Sequence, residues 1–173
     1  MLMQSPSTHP AGTLAEVRAH DLVMRYHRAG VGRPLVLLRA AAGPASIWPE
    51  LDAQLVARYR VFTPELPAHC DDVAAWVKDF LEGVGLDRVL LVAADPCCLS
   101  ALELALLAAD QIERLVLVPG GIAGETGLDG TIAPAFTGVS VPLLVVRRGL
   151  PAADALPLIR QFLAHDGRAA PVG

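Results

Sequence analysis

One aspartate lies where a side chain is well placed to do chemistry. Asp95 comes shortly after the apolar run at residues 88–92, and Pro96 follows it directly. A carboxylate at the end of a buried strand can act as a general acid or base, or as a nucleophile. It can also be an N-cap that precedes a proline at the first position of a helix, with no catalytic role. The residues alone leave these three interpretations open.

Three more polar side chains follow apolar runs that are typical of strands. Arg39 follows residues 34–38, and Glu65 and His69 follow a run that begins at Val61. Because ligands of open α/β sheets bind at the carboxyl ends of the strands, we expect these side chains to converge near Asp95. Glu65 and His69 are candidate proton-transfer groups, and Arg39 could hold a substrate carboxylate. Alternatively, His69 is simply exposed, and Arg39 forms an ion pair with Glu65 or Asp95.

The cysteines do not indicate a metal site. Cys97 and Cys98 are adjacent, and two neighbouring thiols do not provide the spaced ligands that zinc needs. Small buried residues at a tight turn are the better interpretation. Phosphate-binding glycine motifs are absent from the sequence, so we expect neither a metal nor a cofactor. His165 lies in the last turn of the last predicted helix, where a partial positive charge suits the helix dipole, and it is given no catalytic role.

The elements that must position these residues alternate along the chain. Residues 13–30 predict two antiparallel strands around His20-Asp21, and later apolar runs alternate with stretches of helical spacing. The predicted strands are 34–38, one beginning at 61, 88–92, 115–118 and 141–146; the predicted helices begin near Ser46, at 71–72, at 96 and at 152. This pattern predicts an α/β fold with a mixed, mostly parallel sheet flanked by helices. We expect one domain over residues 13–173 after a flexible tail at 1–12.

Composition excludes several kinds of protein. The 173 residues carry a net charge of −4 without a basic stripe, so nucleic acid is not an expected partner. The longest uncharged stretch, residues 130–146, is interrupted by Pro134 and Pro142 and is too short to cross a membrane. The sequence shows no signal peptide, and its three sparse cysteines fit reduced thiols, so a cytoplasmic location is expected.

These runs resemble the α/β-hydrolase superfamily along nearly the whole chain. The matching segments are the G-x-G-x-P entry at 30–38, Trp48 after the oxyanion loop, the strand and loop at 60–70, the strand, elbow and helix at 85–105, and the strand at 141–149. The resemblance implies that Asp95 occupies the nucleophile elbow. Ala41, Trp48 and Pro96, together with Arg39, are predicted to contact the substrate.

The catalytic residues depart from the family pattern. Asp95 replaces the elbow serine, Ala93 and Cys97 replace the elbow glycines, and Arg39-Ala40 replaces the His-Gly of the oxyanion loop. Pro96 has no N–H to donate to an oxyanion. Residues 120–141 are too few for the usual helical cap, and the last strand with its catalytic His is expected to be missing. An ordinary Ser-His-Asp hydrolase is thereby excluded.

Two classes of function remain. The first is an enzyme that performs a non-hydrolytic acid/base reaction, such as cyclisation, isomerisation or epimerisation, on an apolar metabolite, as in natural-product biosynthesis. The second is a catalytically inactive binding or scaffold protein. A less favoured alternative is an Asp-nucleophile hydrolase of the epoxide hydrolase or dehalogenase type, which would need a His to activate water.

The sequence also predicts a homodimer. The apolar strand at residues 141–146 would form a long, bare sheet edge, which proteins rarely leave exposed. A second copy could cover this edge or the neighbouring helix faces. Alternatively, residues 120–140 fold back over the edge within one chain.

Overall fold

A seven-stranded sheet forms the centre of the molecule. The structure, a computed structural model, describes residues 12–39, 48–67, 69–119, 138–146 and 150–165, except for the side chain of Trp48. The strands are β1 (Thr13–Ala19), β2 (Leu22–Ala29), β3 (Pro34–Leu38), β4 (Arg60–Pro64), β5 (Val89–Ala94), β6 (Ile112–Val118) and β7 (Leu143–Val145). Their order in the sheet is β1-β2-β4-β3-β5-β6-β7.

The sheet combines an antiparallel end with a parallel body. Strand β2 pairs antiparallel with both β1 and β4, whereas the pairs from β4 through β3, β5 and β6 to β7 are all parallel. The parallel strands are almost wholly apolar because helices cover both of their faces. The predicted fold class, a mixed and mostly parallel sheet flanked by helices, is confirmed.

Within the described residues, four helices cover the two faces of this sheet. They are α1 (Trp48–Val56), α2 (Val73–Val84), α3 (Cys98–Leu107) and α4 (Ala152–Ala164). Helices α2 and α3 pack on one face, around Phe80, Leu91 and Leu102, and α1 and α4 pack on the other, around Leu37, Leu55 and Ile159. None of the described helices combines the length and apolarity that crossing a membrane requires.

Helix α2 shows how local sequence sets an element's limits. The Asp72 carboxylate accepts a hydrogen bond from Ala75 N at 2.9 Å, which satisfies one of the helix's free N–H groups. Gly85 ends the helix with φ 75°, a left-handed conformation that glycine adopts readily. The observed start agrees with the helix predicted to begin at 71–72.

Three predicted elements differ at their ends from those observed, and one of them, the strand predicted over 115–118, begins earlier at Ile112. The helix predicted from residue 96 begins at Cys98, so Pro96 lies in the preceding turn. The strand predicted over 141–146 is reduced to Leu143–Val145, and Val141 and Val146 are buried on either side of it. The edge at β7 is therefore shorter than expected. Residues 1–11 of the predicted tail and Ser46 lie outside the described residues.

Candidate functional site

Asp95 lies in a turn between β5 and α3. The Asp95–Pro96 peptide bond is cis, and Cys97 N donates a hydrogen bond to Ala94 O at 2.7 Å. These two features define a type VI turn, in which a cis proline takes the third position. The N-cap of α3 is Cys97, which makes no side-chain capping bond. The interpretation of Asp95 as N-cap with Pro96 at the first helical position is therefore wrong.

The turn leaves the Asp95 carboxylate half-buried beside two buried thiols. Two causes raise the pKa of the Cys97 thiol to about 11: burial, which is the larger, and the negative charge of Asp95. The same two causes, with a hydrogen bond to Asp95, raise the pKa of the Cys98 thiol. Cys98 Sγ also donates to Ala93 O at 3.6 Å. Both thiols are therefore held in the protonated form around Asp95.

This protonation predicts which cysteines react with a thiol reagent. At pH 8, a pKa of about 11 leaves roughly a thousandth of Cys97 as the reactive thiolate. In an Ellman assay of the native protein we expect only the half-buried Cys70 to react readily, and all three cysteines to react after denaturation. Cys70→Ser is the control and should remove the native signal. Rapid reaction of Cys97 or Cys98 in the folded protein would contradict the burial and the raised pKa of these thiols.

Arg39 forms a buried ion pair with an aspartate on helix α1. Arg39 Nη1 lies 3.0 Å from Asp52 Oδ2, and the two side chains are only 11% and 7% exposed. Burial raises the pKa of Asp52, although the charge and hydrogen bond of Arg39 act in the opposite direction. Among the described residues, the other oxygen, Asp52 Oδ1, has no hydrogen-bond partner. The partners predicted for Arg39 were Glu65 and Asp95, and Asp52 was not foreseen.

Glu65 is held by two basic side chains of strand β2. Arg25 Nε donates to Glu65 Oε2 at 2.9 Å, and His27 Nε2 lies 3.3 Å from Oε1. Burial alone would raise the pKa of Glu65, but the hydrogen bonds and charges of Arg25 and His27 outweigh it and lower that pKa. The carboxylate is thus ionised and oriented towards β2.

His69 borders the same shallow hollow as Glu65. This hollow has a volume of about 380 Å³ and lies between β2, the loop after β4 and α2; it is lined by Leu22, Val23, Met24, Arg25, Glu65, Pro67, His69, Cys70 and Trp76. His69 is exposed on its rim. Asp95, Pro96 and Arg39 do not line it. The structure therefore brings together Glu65 and His69, while Asp95 and Arg39 occupy other parts of the carboxyl edge.

The other predicted substrate contacts are Ala41, Trp48 and Pro96. Ala41 lies outside the described residues, and Trp48 is placed only as the first residue of α1. Pro96 is exposed beside Asp95 at the surface of the turn. Among the described residues, no group of three or more His, Cys, Asp or Glu side chains is arranged to hold a metal ion.

The sequence analysis missed three side chains that hold the predicted charges. Asp52 directly follows the core residue Leu51, so an acidic residue beside the apolar stripe of α1 was the available signal. Arg25 and His27 alternate with the buried Met24 and Tyr26 on β2. Their contact with Glu65 becomes visible only when β2 is known to pair with β4.

Comparisons with known proteins identify the fold. Neither a family model nor a curated protein matches the chain. Among solved structures it is similar to epoxide hydrolase CorEH, with 27% identity and a TM-score of 0.52 over 61% of this chain and 41% of that one. A bacterial membrane phospholipase A is 22% identical, with a TM-score of 0.54 over 65% and 41%. Naproxen esterase from Bacillus subtilis is 15% identical, with a TM-score of 0.53 over 62% and 43%.

The matched structures share one architecture with this chain. The chain has the α/β-hydrolase fold, as the resemblance of its strands and elbow implied. It spans about two fifths of the length of these solved structures. Asp95 lies in the turn between β5 and α3, the segment that the sequence resemblance assigned to the nucleophile elbow.

Proposed function

We propose that this hydrolase-fold protein catalyses a non-hydrolytic acid/base reaction on an apolar metabolite, with Asp95 as the proton-transfer group. The observation that carries the proposal is the turn at residues 94–97. It holds a half-buried carboxylate after the end of β5, and the next residue, Pro96, has no N–H. Isomerisation, epimerisation and cyclisation are reactions of this type, and natural-product pathways use them.

The missing donor bears directly on the kind of reaction. In ester hydrolysis, the N–H of the residue after the nucleophile stabilises the oxyanion, and losing one such donor typically costs ~10²–10³ in rate. The next N–H in the turn, that of Cys97, is bonded to Ala94 O. A proton shuttle needs no such donor, because a single carboxylate can remove a proton and return it elsewhere. These facts favour proton transfer over acyl transfer.

Less supports the roles proposed for three other side chains, which are proton transfer for Glu65 and His69 and substrate contact for Arg39. Glu65 and His69 share a hollow that Asp95 does not line. Glu65 already forms an ion pair with Arg25 and lies 3.3 Å from His27, and Arg39 forms an ion pair with Asp52. We retain Glu65 and His69 as proposed proton-transfer groups, and Arg39, Ala41, Trp48 and Pro96 as proposed substrate contacts, with Asp95 at the centre.

The same ion pairs favour a second candidate, a hydrolase-fold protein that binds without catalysis. Charges fixed by structural partners stabilise a fold without taking part in a reaction. An Asp-nucleophile hydrolase is the remaining alternative, supported by the 27% identity with an epoxide hydrolase and by the aspartate at the elbow. The three candidates differ in whether turnover occurs and whether it adds water.

A hydrolysis assay tests the exclusion of ester and epoxide chemistry. We expect no turnover of p-nitrophenyl esters or of styrene oxide above the rate in buffer. Asp95→Ser should not restore esterase activity, because Pro96 still supplies no oxyanion donor. Diol formation that is lost in Asp95→Ala would instead establish the Asp-nucleophile alternative.

We also propose that the protein is a cytoplasmic homodimer without nucleic-acid or membrane partners. All three cysteines are free, which agrees with a reducing compartment. The edge predicted to be covered is reduced to three residues, of which Leu143 and Leu144 are half-buried. The alternative cover, residues 120–140, lies mostly outside the described residues. At the opposite end of the sheet, β1 offers seven residues.

A further inference from the structure

Strand β1 has a free hydrogen-bonding edge in the described sheet. Arg25 of β2 lies opposite Glu16 of β1, and the Arg25 carbonyl accepts from Glu65 N on the other side of β2. In an antiparallel pair, the N–H and C=O of one residue face the same way. The Glu16–Arg25 pair is therefore not hydrogen-bonded, and the backbone groups of Glu16 face away from β2. By alternation, those of Leu14 and Arg18 do the same.

The two faces of β1 differ sharply. Helix α2 covers one face closely, since a Cβ added at Gly83 would lie 3.1 Å from Ala19 Cβ and 3.3 Å from Val17 Cγ2. On the other face, Leu14, Glu16 and Arg18 are exposed. Within the described residues, neither Glu16 nor Arg18 forms an ion pair or a side-chain hydrogen bond. The free edge thus carries two unpaired, opposite charges two residues apart.

These charges restrict how two copies of β1 can pair. Residues whose backbone groups face outward must oppose one another, so a two-fold axis can pass through Ala15, Glu16, Val17 or Arg18. An axis through Ala15 opposes Glu16 to Leu14 and leaves both charges of the edge without a charged partner. An axis through Glu16 opposes two glutamates, and an axis through Arg18 opposes two arginines, which disfavours both registers. An axis through Val17 places Glu16 of each copy opposite Arg18 of the other. This register also satisfies the free backbone groups.

We propose that two copies of this chain join antiparallel through β1, about a two-fold axis at Val17, to form one continuous sheet of fourteen strands. The interface is isologous, so Glu16 and Arg18 are each used twice. Like charges along an edge would block such pairing, whereas Glu16 and Arg18 oppose each other when the axis passes through Val17. The inference rests on the proposed homodimer and on no catalytic assignment.

Charge reversal with rescue tests the pairing. We expect sedimentation and light scattering to give twice the 18.2 kDa chain mass, with Glu16→Arg or Arg18→Glu weakening the dimer at least ~10-fold. The double variant Glu16→Arg/Arg18→Glu should regain wild-type assembly, because the pairs are restored in reverse. Glu103→Arg, on the exposed face of α3, is the charge-matched control and should leave the mass unchanged.

A cysteine cross-link tests the register independently. Opposed residues in a non-hydrogen-bonded pair have Cα atoms about 4.5 Å apart, within the range of a disulfide. In a Cys70→Ser background, Val17→Cys should oxidise to a covalent dimer, whereas Ala15→Cys should not, because it faces Ala19 of the other copy. Circular dichroism confirms that each variant is folded.

The outcomes separate this interface from its alternatives. A wild-type monomer at all micromolar concentrations overturns both the interface and the homodimer. A dimer that ignores the charge reversals and does not cross-link through Val17→Cys overturns the β1 interface alone. Dissociation by Leu144→Glu, with β1 variants unaffected, would place the interface at β7 instead.

Discussion

Replacing Arg39 with Met is expected to lower the free energy of unfolding by about 3–5 kcal/mol, because it leaves Asp52 as an uncompensated buried charge. Thermal or urea unfolding at pH 7 measures this loss. The loss of stability caused by the unpaired Asp52 should become smaller as the pH falls. The pKa of Asp52 is raised in the folded protein, and a protonated carboxyl carries no charge to desolvate. The destabilisation should therefore be largest at neutral pH.

Two variants control this interpretation. Arg39→Met combined with Asp52→Leu removes both charges and should return stability to within about 1 kcal/mol of wild type, as buried pairs often do when both members become apolar. Arg25→Met breaks an exposed pair, with Arg25 55% and Glu65 31% exposed, and should cost at most about 1 kcal/mol. Equal losses for Arg39→Met and Arg25→Met would contradict a structural role for the buried pair. Equal losses would instead favour the predicted role of Arg39 in holding a substrate carboxylate.

Replacing Asp95 with Asn is expected to abolish turnover while leaving the fold intact. The amide keeps the shape of the carboxylate and can still accept a hydrogen bond from Cys98, but it cannot take up a proton at neutral pH. The N-cap of α3 is Cys97 rather than Asp95, so Asp95→Ala should also remain folded. For both variants we expect the free energy of unfolding to change by no more than about 1 kcal/mol.

A matched change at another carboxylate controls the activity loss. Glu65→Gln removes a carboxylate from the same edge of the sheet, but one already bonded to Arg25 and His27. If Asp95 is the principal proton-transfer group, Glu65→Gln should retain more turnover than Asp95→Asn. Normal turnover by Asp95→Asn would show that this carboxylate has no catalytic role.

The fold was predictable because its signals are local. The apolar run of β3 and the i, i+3, i+4 spacing of α2, with Asp72 and Gly85 at its ends, each report one element without reference to any other. Alternation of such elements then fixes the fold class. The length of β7 was overestimated because an apolar run does not show which of its residues pair with a neighbour and which turn into the core.

The partners of the candidate site residues were not predictable in the same way. Glu65 meets Arg25, forty residues earlier in the chain, only because β2 pairs antiparallel with β4. Arg39 meets Asp52 because α1 lies over the end of β3, and no pattern in either segment indicates that contact. The sequence gives residue types at a sheet edge, whereas contacts between them depend on strand order and helix placement.

The central claim, that Asp95 transfers protons without adding water, is tested most directly by the mass of the product. Apolar metabolite extract is incubated with wild-type protein, Asp95→Asn or Glu65→Gln, and analysed by chromatography with mass spectrometry. We predict that wild-type protein converts one compound into another of identical mass, and that Asp95→Asn does not. A product heavier by one water molecule, or no difference between wild type and Asp95→Asn, would contradict the claim.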